Sequence, residues 1–274
     1  MMRRTVVGIA LLVALAVPVL LQSVFIAPHA VFIDEKTGGA QVTLGAGDAA
    51  EEVTVDLAFG YPDVNPDGMP YLHMVDDPGD EFPSAAEWIR AFPRRVRLEP
   101  GDRRTLRLLA TPPADLADGE YWARLIVTAR GATTPVASTD TTVRAGLDIV
   151  FRLIVPVTYR RGAVSTGVAL QWFEAAMEDD SLVAWMGVDR FGNAAFLGTA
   201  EFTVLDDDGT ALRDWAIPMG IYYQMDRRFV FHVDDLPSGS YRLALRLAAE
   251  RKDLEDNQVL PAAPVGDTVA FVVP

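Results

Sequence analysis

The chain has 274 residues and a formal net charge of −14, with 24 Lys plus Arg against 38 Asp plus Glu, and half of its residues are hydrophobic. That length supports two domains of ordinary size, each able to bury a core. The acidity argues against nucleic acid and anionic lipid as partners, and the absence of cysteine excludes disulfides, thiol chemistry and cysteine metal sites.

Arg3 and Arg4 precede an almost wholly apolar run, Thr5 to Leu21, which Gln22-Ser23 breaks. Residues 1–23 read as a secretory signal peptide with Ser23 at the cleavage position. The same run, slightly short for a membrane span, also reads as an uncleaved anchor. Val24 to Ile33 is extended and apolar. Pro28 inside it lacks an N–H, so this strand must lie at an edge or change sheets there. Residues 41–44 and 53–59 alternate as strands do. Residues 61–83 hold Pro62, Pro66, Pro70, Pro78 and Pro83 among acids and are expected as a long loop. Ser84 to Arg90 is expected as a short helix capped by Ser84 and ended before Pro93.

Strands follow at 95–98 and 103–109, with Pro100-Gly101 as the turn between them. Then comes Leu116-Ala-Asp-Gly119-Glu-Tyr121, leading into the alternating strand Trp122 to Val127. The phrase recurs as Leu236-Pro-Ser-Gly239-Ser-Tyr241, again leading into a strand, Arg242 to Leu247. Leu-x-x-Gly-x-Tyr before a strand is how an immunoglobulin-like sandwich turns a corner, the tyrosine bonding back to backbone just upstream. Two copies imply two sandwiches. Leu147 to Val157 is the longest strand candidate. Residues 161–167 read as a linker between domains at 24–160 and 168–274. In the second, strands are expected at 168–174, 182–190, 200–205, 229–233, 241–247 and 268–273. Asp206-Asp-Asp-Gly209 is expected as a hairpin turn rather than a calcium loop, and residues 250–256 as an exposed loop. The fold class is all-β, two tandem immunoglobulin-like sandwiches after an N-terminal signal segment.

Four phrases in order carry a family resemblance: Ala30-Val-Phe-Ile33, Phe92 to Leu109, Leu116 to Val127, and Ile154-Val-Pro-Val-Thr-Tyr-Arg160. With them, residues 24–160 resemble the N-terminal domain of the periplasmic chaperones that assemble pili by the chaperone–usher route, while residues 168–274 match only in architecture. The resemblance implies an exported protein of the periplasm that binds secreted pilin-like subunits by donating an edge strand, with an outer-membrane usher as a further partner. Strand addition gives affinity through backbone hydrogen bonds and specificity through alternate side chains. Here the donated side chains would be Leu147, Ile149, Phe151, Leu153, Val155 and Val157. The same run also reads as the last core strand of its own domain. The family fixes the subunit's C-terminal carboxylate with an Arg and a Lys. At those positions this chain has His29 and, at or near the second, Pro156, which leaves His29 and Arg152 as the candidate anchors.

No catalytic constellation is written in the chain. His29, His73 and His232 belong to no motif, and neither Gly-x-Ser-x-Gly nor His-Glu-x-x-His occurs. The expectation is a binding protein without enzymatic activity, cofactor, metal site, nucleic-acid partner or small-molecule substrate. The alternative function is a structural or adhesive tandem sandwich of the cell envelope.

Overall fold

The computed structural model describes residues 24–48, 50–131 and 150–274. Among them every regular element is a strand. The expected signal segment 1–23 lies outside the described residues, as do Leu147 and Ile149.

The first sandwich is built from β1 (Val24–Ala27), β2 (Val31–Asp34), β3 (Gly39–Ala46), β4 (Glu51–Val64), β5 (Pro70–Val75), β6 (Ile89–Phe92), β7 (Arg95–Leu98), β8 (Arg103–Ala110), β9 (Gly119–Gly131) and β10 (Val150–Arg161). One sheet has the order β1-β3-β8-β6. The other runs β2-β10-β9-β4-β5, with β7 also on β4. The strand interrupted by Pro28 does change sheets: β1 pairs with β3 in one layer and β2 with β10 in the other. Alternation puts Val42, Leu44, Leu106 and Leu108 into the core from one sheet and Val53, Val55, Leu125, Val127, Val155 and Val157 from the other.

Two expectations in this domain are corrected. Residues 61–83 are not one long loop, because β4 continues to Val64 and pairs with β5 as a hairpin, Phe59 opposite Val75 through Val64 opposite Pro70. A two-stranded ribbon is all edge, so it accepts Pro62 opposite Leu72 and Pro70 at a strand start. Ser84–Arg90 is not a helix. Ala85 N–H donates to the Trp122 carbonyl at 2.8 Å, and Trp122 N–H donates to that of Pro83 at 2.8 Å. Ile89 and Ala91 are buried as β6 pairs with β8. Sheet pairing and burial of alternate residues outweigh the local helical signal.

The second sandwich contains β11 (Thr166–Glu178), β12 (Ser181–Gly192), β13 (Phe196–Leu205), β14 (Ala211–Ile221), β15 (Met225–His232), β16 (Gly239–Ala248) and β17 (Val265–Val273). Its sheets are β11-β12-β15 and β14-β13-β16-β17. β14 is absent from the sequence reading because Pro218 interrupts it. β14 pairs only with β13, and an edge strand accommodates a proline. Asp206–Gly209 forms the expected turn: Gly209 has φ +84° and donates to the Asp206 carbonyl at 3.1 Å, while Asp206 Oδ1 accepts from Thr210 N–H at 2.7 Å. The core centres on Phe202, whose ring centroid lies 4.7 Å from that of Phe229 and 4.9 Å from that of Phe231.

Both tyrosine corners are present. Tyr121 Oη donates to the Ala117 carbonyl at 3.0 Å and Tyr241 Oη to that of Pro237 at 2.9 Å. Tyr241→Phe removes one such bond and should cost about 1 kcal/mol. Phe202→Ala opens a cavity in a packed core and should cost about 3–5 kcal/mol. Urea unfolding of the two variants should separate these magnitudes.

Candidate functional site

The second sandwich covers part of the outer face of β9 and β10. On a free sheet Trp122, Arg124 and Thr158 would face solvent; here all three are buried. The residue that organises the contact is Glu120, 2% exposed. Its Oε2 accepts from Trp122 Nε1 at 2.9 Å and from Ala195 N–H of the second sandwich at 2.8 Å, and its Oε1 accepts from Arg160 Nε at 2.9 Å. Arg160 stacks over Phe32 and donates to the carbonyls of Asn257 and Gln258 at 3.2 and 2.6 Å. A buried carboxylate is tolerable only when its lone pairs are taken up in this way.

Around that pair lies an aromatic patch drawn from both domains. Trp122 packs edge-on against Tyr222 at 4.6 Å, and Tyr61 against Tyr223 at 4.7 Å. Burial, with Tyr61 alongside, pushes the Tyr223 hydroxyl up to about 12. Asn193 holds the turn after β10, donating to the Asp118 and Ala163 carbonyls at 3.1 and 3.0 Å and accepting from Ser165 N–H at 2.9 Å. The β4–β5 hairpin adds a second tie: Arg228 N–H donates to the Gly68 carbonyl at 3.0 Å. Gly68 has φ +72°, and a Cβ there would lie 2.5 Å from the Trp185 ring, so this contact requires glycine.

Next to the interface, β10 leaves its sheet partly open. One side pairs with β9 along the whole strand; the other pairs with β2 only over Val157–Arg160. Among the described residues, 150–156 have no strand on that side. The sequence-predicted donor residues divide accordingly. Val155 and Val157 are 2% and 1% exposed in their own core, and Leu153 packs against that core. Phe151 is 36% exposed. Val150 and Ile154, exposed on the opposite face, were outside the predicted set. β10 is thus a core strand at one end and, among the described residues, an edge with exposed apolar side chains at the other.

The open edge runs toward a cavity of about 170 Å³ lined by residues that include His29, Pro156, Arg124, Tyr222 and Arg251. His29 and Pro156, expected from the resemblance at or near the anchor positions, line one cavity, and the buried cation in it is Arg124. Arg124 stands opposite Pro156 in the β9–β10 register. Its Nε donates to the Gly60 carbonyl at 2.8 Å, its guanidinium stacks over Tyr222, and its Nη2 is buried without a partner. Arg152 is exposed four residues back along β10, roughly 13 Å away at strand rise. His29 is exposed, with Nε2 3.8 Å from Asp253 Oδ2. Arg251 clamps Asp253 with hydrogen bonds of 2.7 and 2.6 Å and holds its carboxyl down to about 2. Arg251 lies in the stretch expected to be a plain exposed loop. The signal for Arg124 was in the sequence: one cation inside an otherwise apolar strand, Ala123-Arg-Leu-Ile-Val127.

Among the described residues no three His, Cys, Asp or Glu side chains come together as a metal-binding group.

No family model matches the chain, and no curated protein does. Solved structures do overlay on it along its length. A chain of a chaperone–tip adhesin complex of CFA/I fimbriae biogenesis is 13% identical, with 90% of this chain and 98% of that chain covered, at a TM-score of 0.43. A chain of the CsuC–CsuE chaperone–tip adhesion subunit complex of archaic chaperone–usher Csu pili from Acinetobacter baumannii is 11% identical, with 91% and 98% covered, at 0.42. The class 5 fimbriae chaperone CfaA is 15% identical, with 92% and 100% covered, at 0.41. These are likenesses in general shape, and superpositions this loose carry no argument; the fold rests on the strand pairing and the site on its own geometry.

Glu120→Ala leaves Arg160 beside an empty buried position and should weaken domain docking by about 3 kcal/mol. Calorimetry of the variant should show two unfolding transitions where the parent shows one, with an enlarged radius of gyration in solution scattering before the first.

Proposed function

We propose that this protein is an exported chaperone that binds secreted β-sandwich subunits by lending them the open edge of β10. The observation that carries the reading is an apolar strand with one side unpaired among the described residues, 150–156, ending at a cleft between two docked domains. An exposed apolar edge is a template for pairing with another chain, and strand addition is the corresponding binding mode. Leu147, Ile149, Phe151 and Leu153 are the side chains proposed to enter the partner. Val155 and Val157 belong to this chain's own core. The periplasm is the compartment that export and such a partner imply, with an usher as a further partner. The task needs no enzymatic chemistry.

For the subunit's terminal carboxylate we propose Arg124, in preference to His29 or Arg152. A carboxylate entering the cavity would give the unpartnered Nη2 an acceptor, and a charge-assisted bond there is worth about 1.5–3 kcal/mol, or tenfold or more in affinity.

Two experiments test this. Phe151→Asp in the full chain, purified without denaturant from its native envelope, should lose its stoichiometric secreted partner while keeping the parent's melting temperature. Val155→Asp should unfold the first sandwich instead. Retention of the partner by Phe151→Asp overturns strand donation. In the second experiment, a peptide matching the captured subunit's C-terminus should bind at least about tenfold more weakly when amidated. Arg124→Met should abolish that difference, while Arg152→Gln and His29→Gln preserve it.

A further inference from the structure

The outer face of the β1-β3-β8-β6 sheet has a charge distribution opposite to that of the chain as a whole. Register places Arg103 and Arg107 of β8, Arg90 and Phe92 of β6, Leu109 of β8 and Phe25 of β1 on this one face. The alternate residues on these strands, Leu106, Leu108, Ile89 and Ala91, fill the core. The other outward strand positions on the sheet are Ala, Gly, Gln and Thr, so in a protein with 38 acidic residues the strands here present none, although exposed Glu87 adjoins the face, its carbonyl accepting from Arg90. The acids at its end, Glu99 and Asp102, are taken by Arg97 and Arg104 at 2.9 and 3.2 Å. No carboxylate among the described residues pairs with Arg90, Arg103 or Arg107.

The exposed apolar groups are interleaved with these cations. Phe92 is the cross-strand neighbour of Arg107, and Leu109 that of Arg90. They are 72% and 60% exposed. Phe25 lies across Gly45, where a Cβ would stand 2.1 Å from its ring, and Arg103 stacks over it. Arginine beside an exposed aromatic or aliphatic side chain suits a phospholipid interface, where the guanidinium meets phosphate and its neighbour enters the acyl boundary. Read as the uncleaved anchor, the chain outside the structure points the same way. The apolar run Thr5–Leu21, led by Arg3 and Arg4, precedes Val24, the first residue of this sheet.

We infer that the outer face of the β1-β3-β8-β6 sheet is a docking surface for an anionic phospholipid membrane. Net acidity argued against such a partner, but a surface interaction is governed by charge within about a Debye length, roughly 8–10 Å. Binding through this face leaves β10 free, since its open edge belongs to the other sheet.

The test is co-sedimentation of the full chain with phosphatidylcholine vesicles and with vesicles containing about a third phosphatidylglycerol. The N-terminal apolar run, where it is retained, contributes to both, so the readout is their ratio. The parent should bind the anionic vesicles at least about tenfold more tightly at low salt and lose that preference at high salt. Arg103→Glu with Arg107→Glu should abolish the preference without lowering the melting temperature. Reversing Arg213 and Arg242 on the second sandwich, an equal change in net charge, should preserve it. Equal binding of the parent to both vesicles, or a preference that survives reversal of Arg103 and Arg107, overturns the inference. So does reversal that releases an acidic envelope protein while vesicle binding is unchanged, which would assign the face to a protein partner.

Discussion

A single buried carboxylate sets the relation between the two sandwiches. Glu120 lies at the start of β9, where the first domain's tyrosine corner hands over to its strand, and its oxygens are shared among Trp122, Ala195 and Arg160. Stripped of those partners it would cost several kcal/mol to bury. The second domain therefore has to bring the Ala195 N–H to it, and Arg160 has to reach both it and the carbonyls of residues 257 and 258. The aromatic patch of Trp122, Tyr222 and Tyr223 then packs in a geometry already chosen by directional bonds. Hydrophobic burial supplies area without direction; the hydrogen-bonded acid supplies the angle.

That docking gives two long strands different work at their two ends. β4 joins its sheet from Glu51 to Ala58 and continues as half of a hairpin that ties Gly68 to Arg228. β10 closes its own core at Val155–Tyr159 and extends past it as an edge with no partner strand on one side among the described residues. A strand longer than the sandwich it serves has apolar residues that its own domain does not cover. In β4 the excess meets the second domain. In β10 no other described strand covers it, and it lies beside the cleft that docking creates.

Charge shows the same difference between whole and part. The total is strongly acidic, yet the cations are unevenly placed, with an arginine face on one sheet whose strand positions carry no acid, and with the buried Arg124 and the partly buried Arg160 at the domain interface. Two acids at the interface are engaged, Glu120 by its three donors and Asp253 by Arg251.

Much of the fold was legible because local chemistry wrote it. Period-two alternation located most of the strands, Pro28 marked the sheet change, and the two Leu-x-x-Gly-x-Tyr phrases marked the corners whose hydroxyls reach Ala117 and Pro237. Where local and non-local forces disagree, the sequence was a poorer guide. Proline counts hid the β4–β5 ribbon and β14, because proline's tolerance depends on being at an edge, and edges are assigned by pairing. Ser84–Arg90 lost its helix to backbone bonds with residue 122. The alternation of β10 announced a strand apolar on both faces, but which side chains its own core would take depended on where that core ends. Arg124 was visible as a cation in an apolar strand. Only the second domain, covering a sheet face that would otherwise be wet, decided that it would be buried, stacked on Tyr222 and left with an unmatched donor. Pairing partners and burial are properties of distant segments brought together, and no single stretch of sequence contains them.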